Sequence, residues 1–321
     1  MVRPGSQGYG MTMAIVSAAT FGTSGSFGTP LLNAGWTPGA VVLARIGGSA
    51  LVLLVPTLWL LHRNGLPSRR AVAHMVAYGL VAVGSATFCY FEAIQYLSVS
   101  IALLCEYFAP VLLIAYRWAR SHHRPPGIVL AGAVVAMAGM AVVLDVFGDA
   151  HIDPRGLLWG LGAAVSLSIY FLLGEQSDAD LHPLVVTGVG TVVASATLAL
   201  GGVVGLIPMH ARAVDVPLAG VRVSWAIPVV AVVLIATVLA YLTGIVGVRE
   251  LGVRLSSFVS LTEVLFAVVA AAVLVAQKPT VLQGIGAVVV LAGIALVQRG
   301  DRAEVSTAEP DPAPPVQTLS H

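Results

Sequence analysis

A single glutamate interrupts an apolar run near the first third of the chain, where residues 103–115 read LLCEYFAPVLLIA. Only 10% of the residues are Asp, Glu, Lys or Arg, so Glu106 is an unusual feature of its surroundings. A carboxylate inside hydrocarbon costs about 2.5–3.5 kcal/mol on insertion scales and is found mainly along substrate, ion or proton pathways. We therefore expect Glu106 to bind a transported solute or to exchange protons.

Two more charged residues lie in neighbouring apolar runs, at a comparable depth. Glu106 is seven residues into its run, about 10 Å below the end at 1.5 Å per residue, Arg45 is seven residues past Pro38, and Glu92 is nearer the end of its own run. An arginine beside carboxylates suits a zwitterionic or cationic substrate. The alternatives are a buried structural ion pair and an Arg45 side chain that extends along its own stem to the headgroups. Proton exchange by Glu106 depends on whether desolvation or the charge of Arg45 dominates its ionisation.

A second polar set follows a helical period in the other half of the chain. Ser256, Ser260 and Glu263 are spaced i, i+4 and i+7, which places them on one face of a helix. Serines in membranes often only bond a preceding carbonyl, and this reading remains open for the two serines but does not explain Glu263. The other candidates for the lining of a central cavity are Tyr107, Thr20, Ser24, Tyr170 and Tyr241.

The elements that position these residues are membrane-spanning helices. The chain of 321 residues is 58% hydrophobic with a mean hydropathy of +0.93, whereas soluble domains are roughly 45–50% apolar. A spanning helix needs about 20 mostly apolar residues. The sequence predicts an all-α polytopic membrane protein with ten transmembrane helices at 11–31, 38–61, 71–95, 99–118, 127–147, 156–174, 183–207, 226–248, 255–276 and 280–298.

Basic residues predict how these helices are oriented. Eleven arginines fall on one set of connecting segments and four Arg or Lys residues fall on the other. Because Arg and Lys accumulate on cytoplasmic loops, we expect both termini in the cytoplasm and the protein in the plasma or inner membrane. The Pro-rich stretch at 300–321 is predicted to be a disordered cytoplasmic tail.

The chain also contains an internal repeat. A shift of 154 residues places Pro125 on Pro279, the GAVV at 132–135 on the GAVV at 286–289, and Ala138-Gly139 on Ala292-Gly293. The shift predicts two five-helix repeats, at 1–150 and 151–299. Since five is odd, the second repeat must enter the membrane from the opposite side, which gives inverted repeats of the kind found in many transporters. The paired glycines are expected to allow close helix packing.

Three stretches resemble one family of transporters. They are TPGAVVLARIGGSALVLL from residue 37, EAIQYLSVSIALLCEYFAPVLLIAYRW from residue 92, and RELGVRLSSFVSLTEVLFAVVAAAVLVAQKPTVLQGIGAVVVLAGIALV from residue 249. The chain is similar, over residues 10–298, to EamA-type members of the drug/metabolite transporter superfamily. The resemblance implies a five-plus-five helix fold, a cavity built from helices 1, 3, 4, 6, 8 and 9, and export of metabolites or drugs. The family's Glu-Pro pair in helices 4 and 9 is split here into Ala109-Pro110 and Glu263-Val264.

These observations favour a secondary exporter of small polar metabolites, such as amino acids, that works by alternating access. A drug or other xenobiotic exporter is the alternative, and a membrane-embedded enzyme is a weaker one, because no span carries a His pair at i, i+4 or a Cys–His set. We expect no cofactor, no metal and no nucleic-acid partner. The expected partners are a small-molecule substrate, the lipid bilayer and protons, whereas the residues leave substrate identity, direction, coupling ion and oligomeric state open.

Overall fold

The computed structural model describes residues 6–65, 67–97, 99–121, 124–146, 153–176, 182–276 and 279–308. Within these ranges the chain forms ten helical rods, which we name α1 to α10 in chain order. Six rods are single helices: α1 (Ser6–Asn33), α2 (Pro38–Asn64), α5 (Gly127–Val143), α6 (Pro154–Gln176), α7 (Pro183–Val203) and α10 (Val281–Ala308).

The other four rods are divided. The rods α3 and α8 each contain a π-helical stretch, a local widening that often occurs at functional sites. The rods α4 and α9 are each broken by a short turn. The α3 segments are Arg69–Ala77, π-helical Tyr78–Ser85 and Ala86–Ala93; those of α8 are Ala226–Val233, π-helical Leu234–Leu239 and Ala240–Leu251; those of α4 are Val99–Glu106 and Ala109–Ser121; those of α9 are Val253–Ser260 and Thr262–Leu274.

The ten helices confirm an all-α polytopic membrane protein. Among the described residues, eight rods are long and apolar enough to cross a membrane: α2, α3, α4, α6, α7, α8, α9 and α10. The rod α5 is apolar but has only 17 residues. The rod α1 has 28 residues and is not among the eight; it is rich in Gly, Ser and Thr, and it packs inside the bundle against α8 and α9.

Two further details differ from the sequence prediction, besides the eight long spans in place of ten among the described residues and the breaks in α4 and α9. The last helix continues to Ala308, ten residues past the predicted end at 298, while residues 309–321 of the predicted tail lie outside the described residues. A short antiparallel hairpin, Val216–Leu218 with Val221–Val223, stands between α7 and α8. Its residue Val216 is buried against Leu31 of α1 and Val41 of α2, so this connection packs on the end of α1 and the start of α2.

The rods pack in matching pairs. The rod α1 packs against α8 and α9, α6 packs against α3 and α4, α2 packs against α7, and α5 packs against α10. When every rod is exchanged for the rod five places away, the contacts of α1 with α8 and α9 become those of α6 with α3 and α4. The contacts of α2 with α7 and of α5 with α10 are left unchanged by this exchange. The turns in α4 and α9 also correspond, because Tyr107 and Leu261 are 154 residues apart. The packing therefore has the same internal correspondence as the sequence.

Glycines allow the closest of these contacts, between α5 and α10. A Cβ atom added to Gly139 would lie 2.6 Å from the backbone nitrogen of Val290. A Cβ atom added to Gly286 would lie 2.9 Å from the carbonyl oxygen of Gly139. Helix association in membranes depends on this kind of close backbone approach, so these glycines act in packing.

Candidate functional site

A cavity of about 900 Å³ lies in the middle of the bundle. Residues of α1, α3, α4, α6, α8 and α9 line it, as the family resemblance implies, and α2, α5 and α10 add a few more. The residues Val143, Leu144, Pro279, Thr280 and Gln283 lie on its rim, where α5 ends and α10 begins. The cavity therefore extends to that end of the bundle, which we call the rim end.

Arg45 provides a positive charge in this cavity. Its Nη1 donates a hydrogen bond of 2.8 Å to Ser24 Oγ on α1, and its guanidinium carbon lies 5.9 Å from the centre of the Phe21 ring. In the described part of the chain its buried Nε atom has no hydrogen-bond partner. A buried unpaired donor costs free energy, so Arg45 retains one N–H group whose hydrogen-bonding capacity is unused in this structure.

Two carboxylates face the same space, one from each half of the chain. Glu106 is the last residue of the first α4 segment, and Glu263 is in the first turn of the second α9 segment, so both lie beside a helix break. Their charges interact with each other and with Arg45, and Tyr107 lies beside Glu263. The breaks in α4 and α9 thus bring an acid–base cluster together in the cavity.

Aromatic rings form a continuous ladder that starts in the cavity wall with Phe21, Tyr241 and Tyr170 and ends behind it at the fully buried Tyr78. Ring centres are 4.9 Å apart for Phe21 and Tyr241, 6.1 Å for Tyr241 and Tyr170, and 5.6 Å for Tyr170 and Tyr78. The ladder joins α1, α8, α6 and α3. Aromatic faces bind apolar groups and organic cations, so this wall can hold the uncharged part of a substrate or a cationic one.

The hydroxyl groups of Ser256 and Ser260 on α9 donate hydrogen bonds to backbone carbonyl oxygens. Ser256 Oγ donates to Gly247 O at 3.1 Å, across to α8, and Ser260 Oγ donates to Ser257 O at 2.8 Å. The bond of Ser260 is the backbone bond that sequence reasoning left open as the alternative. Both hydroxyl oxygens line the cavity and keep acceptor capacity for a ligand.

Nine of the eleven residues proposed from sequence line the cavity, and they are Arg45, Glu106, Tyr107, Glu263, Ser24, Tyr170, Tyr241, Ser256 and Ser260. Two described residues of that set, Glu92 and Thr20, do not. Thr20 Oγ1 donates to the carbonyls of Val16 and Ser17 at 2.7 and 3.0 Å. Glu92 lies two residues after Tyr90, which lines the cavity. Residues two positions apart on a helix point about 200° apart, so Glu92 is on the other side of α3 from Tyr90.

Sequence reasoning missed several lining residues. Thr87 and Tyr90 lie three residues apart on α3, a spacing that could have identified them as one polar face. Gln283 on the rim belongs to a capping box at the start of α10: Gln283 N donates to Thr280 Oγ1 (3.2 Å) and Thr280 N donates to Gln283 Oε1 (3.0 Å). The Thr-x-x-Gln pattern before an apolar run is the sequence signal for this cap.

A bundle of membrane helices around one polar cavity, with an arginine and two carboxylates inside, defines the chain as a membrane transporter. Two segments, residues 8–145 and 154–299, match the model of the EamA-like transporter family, and the chain belongs to that family. This confirms the resemblance found in the sequence. The family consists of transporters rather than enzymes, so the enzyme alternative is rejected.

Named relatives include exporters. The threonine/homoserine exporter RhtA of Escherichia coli (strain K12) is 28% identical over 122 residues, which are 38% of this chain and 39% of that protein. The matched stretch therefore spans well under half the length of RhtA. The uncharacterized transporter YxxF of Bacillus subtilis (strain 168) is 27% identical over 247 residues, 75% of each chain. One solved crystal structure shares the fold, with a TM-score of 0.72 and 19% identity over 91% of this chain and 98% of that chain.

Proposed function

We propose that this protein is a secondary exporter of small polar metabolites such as amino acids. The observation that carries the proposal is the presence of Arg45, Glu106 and Glu263 in one cavity. A guanidinium matches a carboxylate group with two parallel donors, and the glutamates match an ammonium group. A zwitterionic solute therefore finds a partner for each charge, while the aromatic ladder accommodates its side chain.

Transport by alternating access requires two halves that move against each other. We propose that residues 1–150 and 151–299 are inverted repeats that do so. The offset of 154 residues, the two family matches and the exchange of rod contacts all support this proposal. In such transporters the substrate site lies at the interface of the repeats near the membrane midplane, beside interrupted helices. Here Glu106 and Glu263 lie beside the breaks in α4 and α9.

The bias of basic residues supports an orientation. Both termini are cytoplasmic in this proposal, the membrane is the plasma or inner membrane, and the rim end faces outside. The cavity is then open toward the side to which an exporter releases its substrate. We also propose protons as the coupling ion, exchanged at Glu106.

The similarity to RhtA supports amino-acid export by this protein, because the name of RhtA states threonine and homoserine as its substrates. A xenobiotic exporter is the second candidate. The aromatic ladder favours it, because Phe21, Tyr170 and Tyr241 line the cavity and aromatic rings can bind a lipophilic cation.

The test is exchange of radiolabelled solutes across proteoliposomes that contain the purified protein. A panel of zwitterionic amino acids and one lipophilic cation covers both candidates. We expect exchange of at least one amino acid, loss of this exchange in Arg45→Gln, and normal exchange in Glu92→Gln, since Glu92 does not line the cavity. Exchange of the lipophilic cation alone would reject amino-acid export in favour of the second candidate.

A further inference from the structure

The end of the bundle opposite the rim is closed by the second segment of α4 and the first segment of α9. The segments Ala109–Ser121 and Val253–Ser260 pack against each other and against α6. The other segments of the same two rods, Val99–Glu106 and Thr262–Leu274, contribute Glu106 and Glu263 to the lining of the cavity. If the protein works by alternating access, as proposed above, these closed segments must separate once in each cycle.

An ion pair joins the two repeats at this closed end. Arg117 Nη2 donates to Glu175 Oε1 at 2.8 Å and to Glu175 Oε2 at 2.9 Å. Arg117 belongs to α4 in the first repeat, and Glu175 belongs to the end of α6 in the second. Their side chains are 40% and 34% exposed, and a pair exposed to this degree is weak enough to break repeatedly.

Glu175 has a further partner on α9. The backbone nitrogen of Val253 donates to Glu175 Oε1 at 3.3 Å. Gly252, with a positive φ of 76°, turns the chain sharply between α8 and α9, so that Val253 begins the helix. The first amides of a helix lack partners within the helix and attract negative charge. One carboxylate therefore holds α4, α6 and α9 together.

We propose that Glu175 is a latch that holds this end closed and so decides which side of the membrane the cavity faces. The segment Ala109–Ser121 is one unbroken helix and acts as a rigid arm, with Arg117 eight residues beyond Ala109, about 12 Å along the helix axis. The cavity can open at this end only when the arm moves away from α6 and α9. That movement breaks the bonds of Glu175 to Arg117, and the proposal rests on the alternating-access function above.

Single cysteines report the position of the latch. Ser257 is fully buried in the closed segment of α9, and Thr280 lies on the opposite rim. In a background with Cys89 and Cys105 changed to Ala, Ser257→Cys and Thr280→Cys are labelled by a small maleimide. We expect Glu175→Gln to raise the ratio of Ser257→Cys to Thr280→Cys labelling about fivefold, the factor that about 1 kcal/mol gives.

Two further variants separate a latch from a general loss of stability. Asp301→Asn is the matched control, because Asp301 pairs with Arg254 at the same end (2.6 Å) but joins α10 to α9, two neighbouring rods of the second half of the chain. This change should leave the labelling ratio unaltered. The reversed pair Arg117→Glu with Glu175→Arg should restore only part of the closure, because the amide of Val253 then faces a cation.

An unchanged labelling ratio in Glu175→Gln would overturn the latch, and so would an equal rise in Asp301→Asn. The labelling needs no substrate, so the result does not depend on which solute is transported. Amino-acid exchange that persists with an unchanged ratio would reject the latch and leave the proposed function standing. A raised labelling ratio in Glu175→Gln, without exchange of any tested solute, would support the latch and reject the proposed function.

Discussion

Gly286→Ala should destabilise the protein through one added methyl group. The new Cβ atom would lie 2.8 Å from the backbone nitrogen of Val143, 2.8 Å from Val143 Cγ2 and 2.9 Å from the carbonyl oxygen of Gly139. Ordinary contacts begin near 3.4 Å, so α5 and α10 must separate by roughly 0.5 Å at this point. Two of the three atoms belong to the backbone, so no change of rotamer relieves the overlap.

The size of the destabilisation by Gly286→Ala follows from the loss of close contacts between α5 and α10. A gap of about 0.5–1 Å forfeits a quarter to a half of the dispersion attraction across it, and overpacking costs typically 1–3 kcal/mol. Gly284→Ala is the matched control, because its Cβ atom would have no neighbour within 4 Å although it lies in the same helix, two residues away. That change should be neutral or stabilise the helix by up to about 1 kcal/mol.

Unfolding of both variants in mixed detergent micelles, followed by circular dichroism, measures how far each change alters the free energy of unfolding. We expect Gly286→Ala to unfold more easily than the parent by about 1–3 kcal/mol and Gly284→Ala not to. If the two variants unfold together, the glycines do not set the distance between α5 and α10 and the packing argument is wrong.

Three further predictions concern transport and topology. Glu106→Gln mimics the protonated state, so it should keep solute exchange but lose accumulation driven by a pH gradient; accumulation equal to the parent would make Glu263 the next candidate. Arg45→Lys should raise KM about 10- to 100-fold, as expected for lost hydrogen bonds to a charged group, whereas an unchanged KM would remove Arg45 from the substrate site. With native cysteines replaced, an impermeant maleimide on intact cells should label Arg222→Cys and not Arg120→Cys, and the opposite result would invert the proposed orientation.

The helices and most of the cavity residues could be predicted from the sequence. Both follow from the free energy of placing a residue of a given type in hydrocarbon, which can be judged one residue at a time. A carboxylate in hydrocarbon needs a partner or a cavity, and on this ground the sequence predicts Glu106 and Glu263 at a central cavity, which both residues line. The same ground also suggests Glu92, which does not line the cavity, because depth along a span does not say which face of the helix a residue occupies. Only the contacts of α3 with its neighbours fix that face, and they involve residues far away in the chain.

The helix breaks show another limit of sequence reasoning. Pro110 lacks the N–H group that would bond the carbonyl of Glu106, so a loosened α4 is predictable at this point. The π-helical stretches in α3 and α8 have no comparable signal in the sequence. Their positions depend on packing, since Gly79 in the first stretch lies directly against α7, where a Cβ atom would approach the carbonyl oxygen of Gly190 to 2.6 Å.

The break in α9 arises by a different chemistry from that in α4. Val264 stands 154 residues after Pro110, so α9 has no proline at the equivalent position. Two hydroxyls bond backward here instead: Ser260 Oγ donates to Ser257 O at 2.8 Å and Thr262 Oγ1 donates to Val259 O at 2.7 Å. Such bonds compete with the helix and bend it, so the two repeats reach the same geometry by separate means.

Val264→Pro should therefore be tolerated. The amide of Val264 makes only a 3.3 Å bond to Leu261 O across the break, and proline is accepted in the first turn of a helix. Val268→Pro, four residues later inside the segment Thr262–Leu274, should cost about 3 kcal/mol or more. Unfolding of the two variants in mixed micelles compares them directly. Equal and severe destabilisation would mean that α9 needs its amide at Val264, and that the break is not equivalent to the one that Pro110 makes in α4.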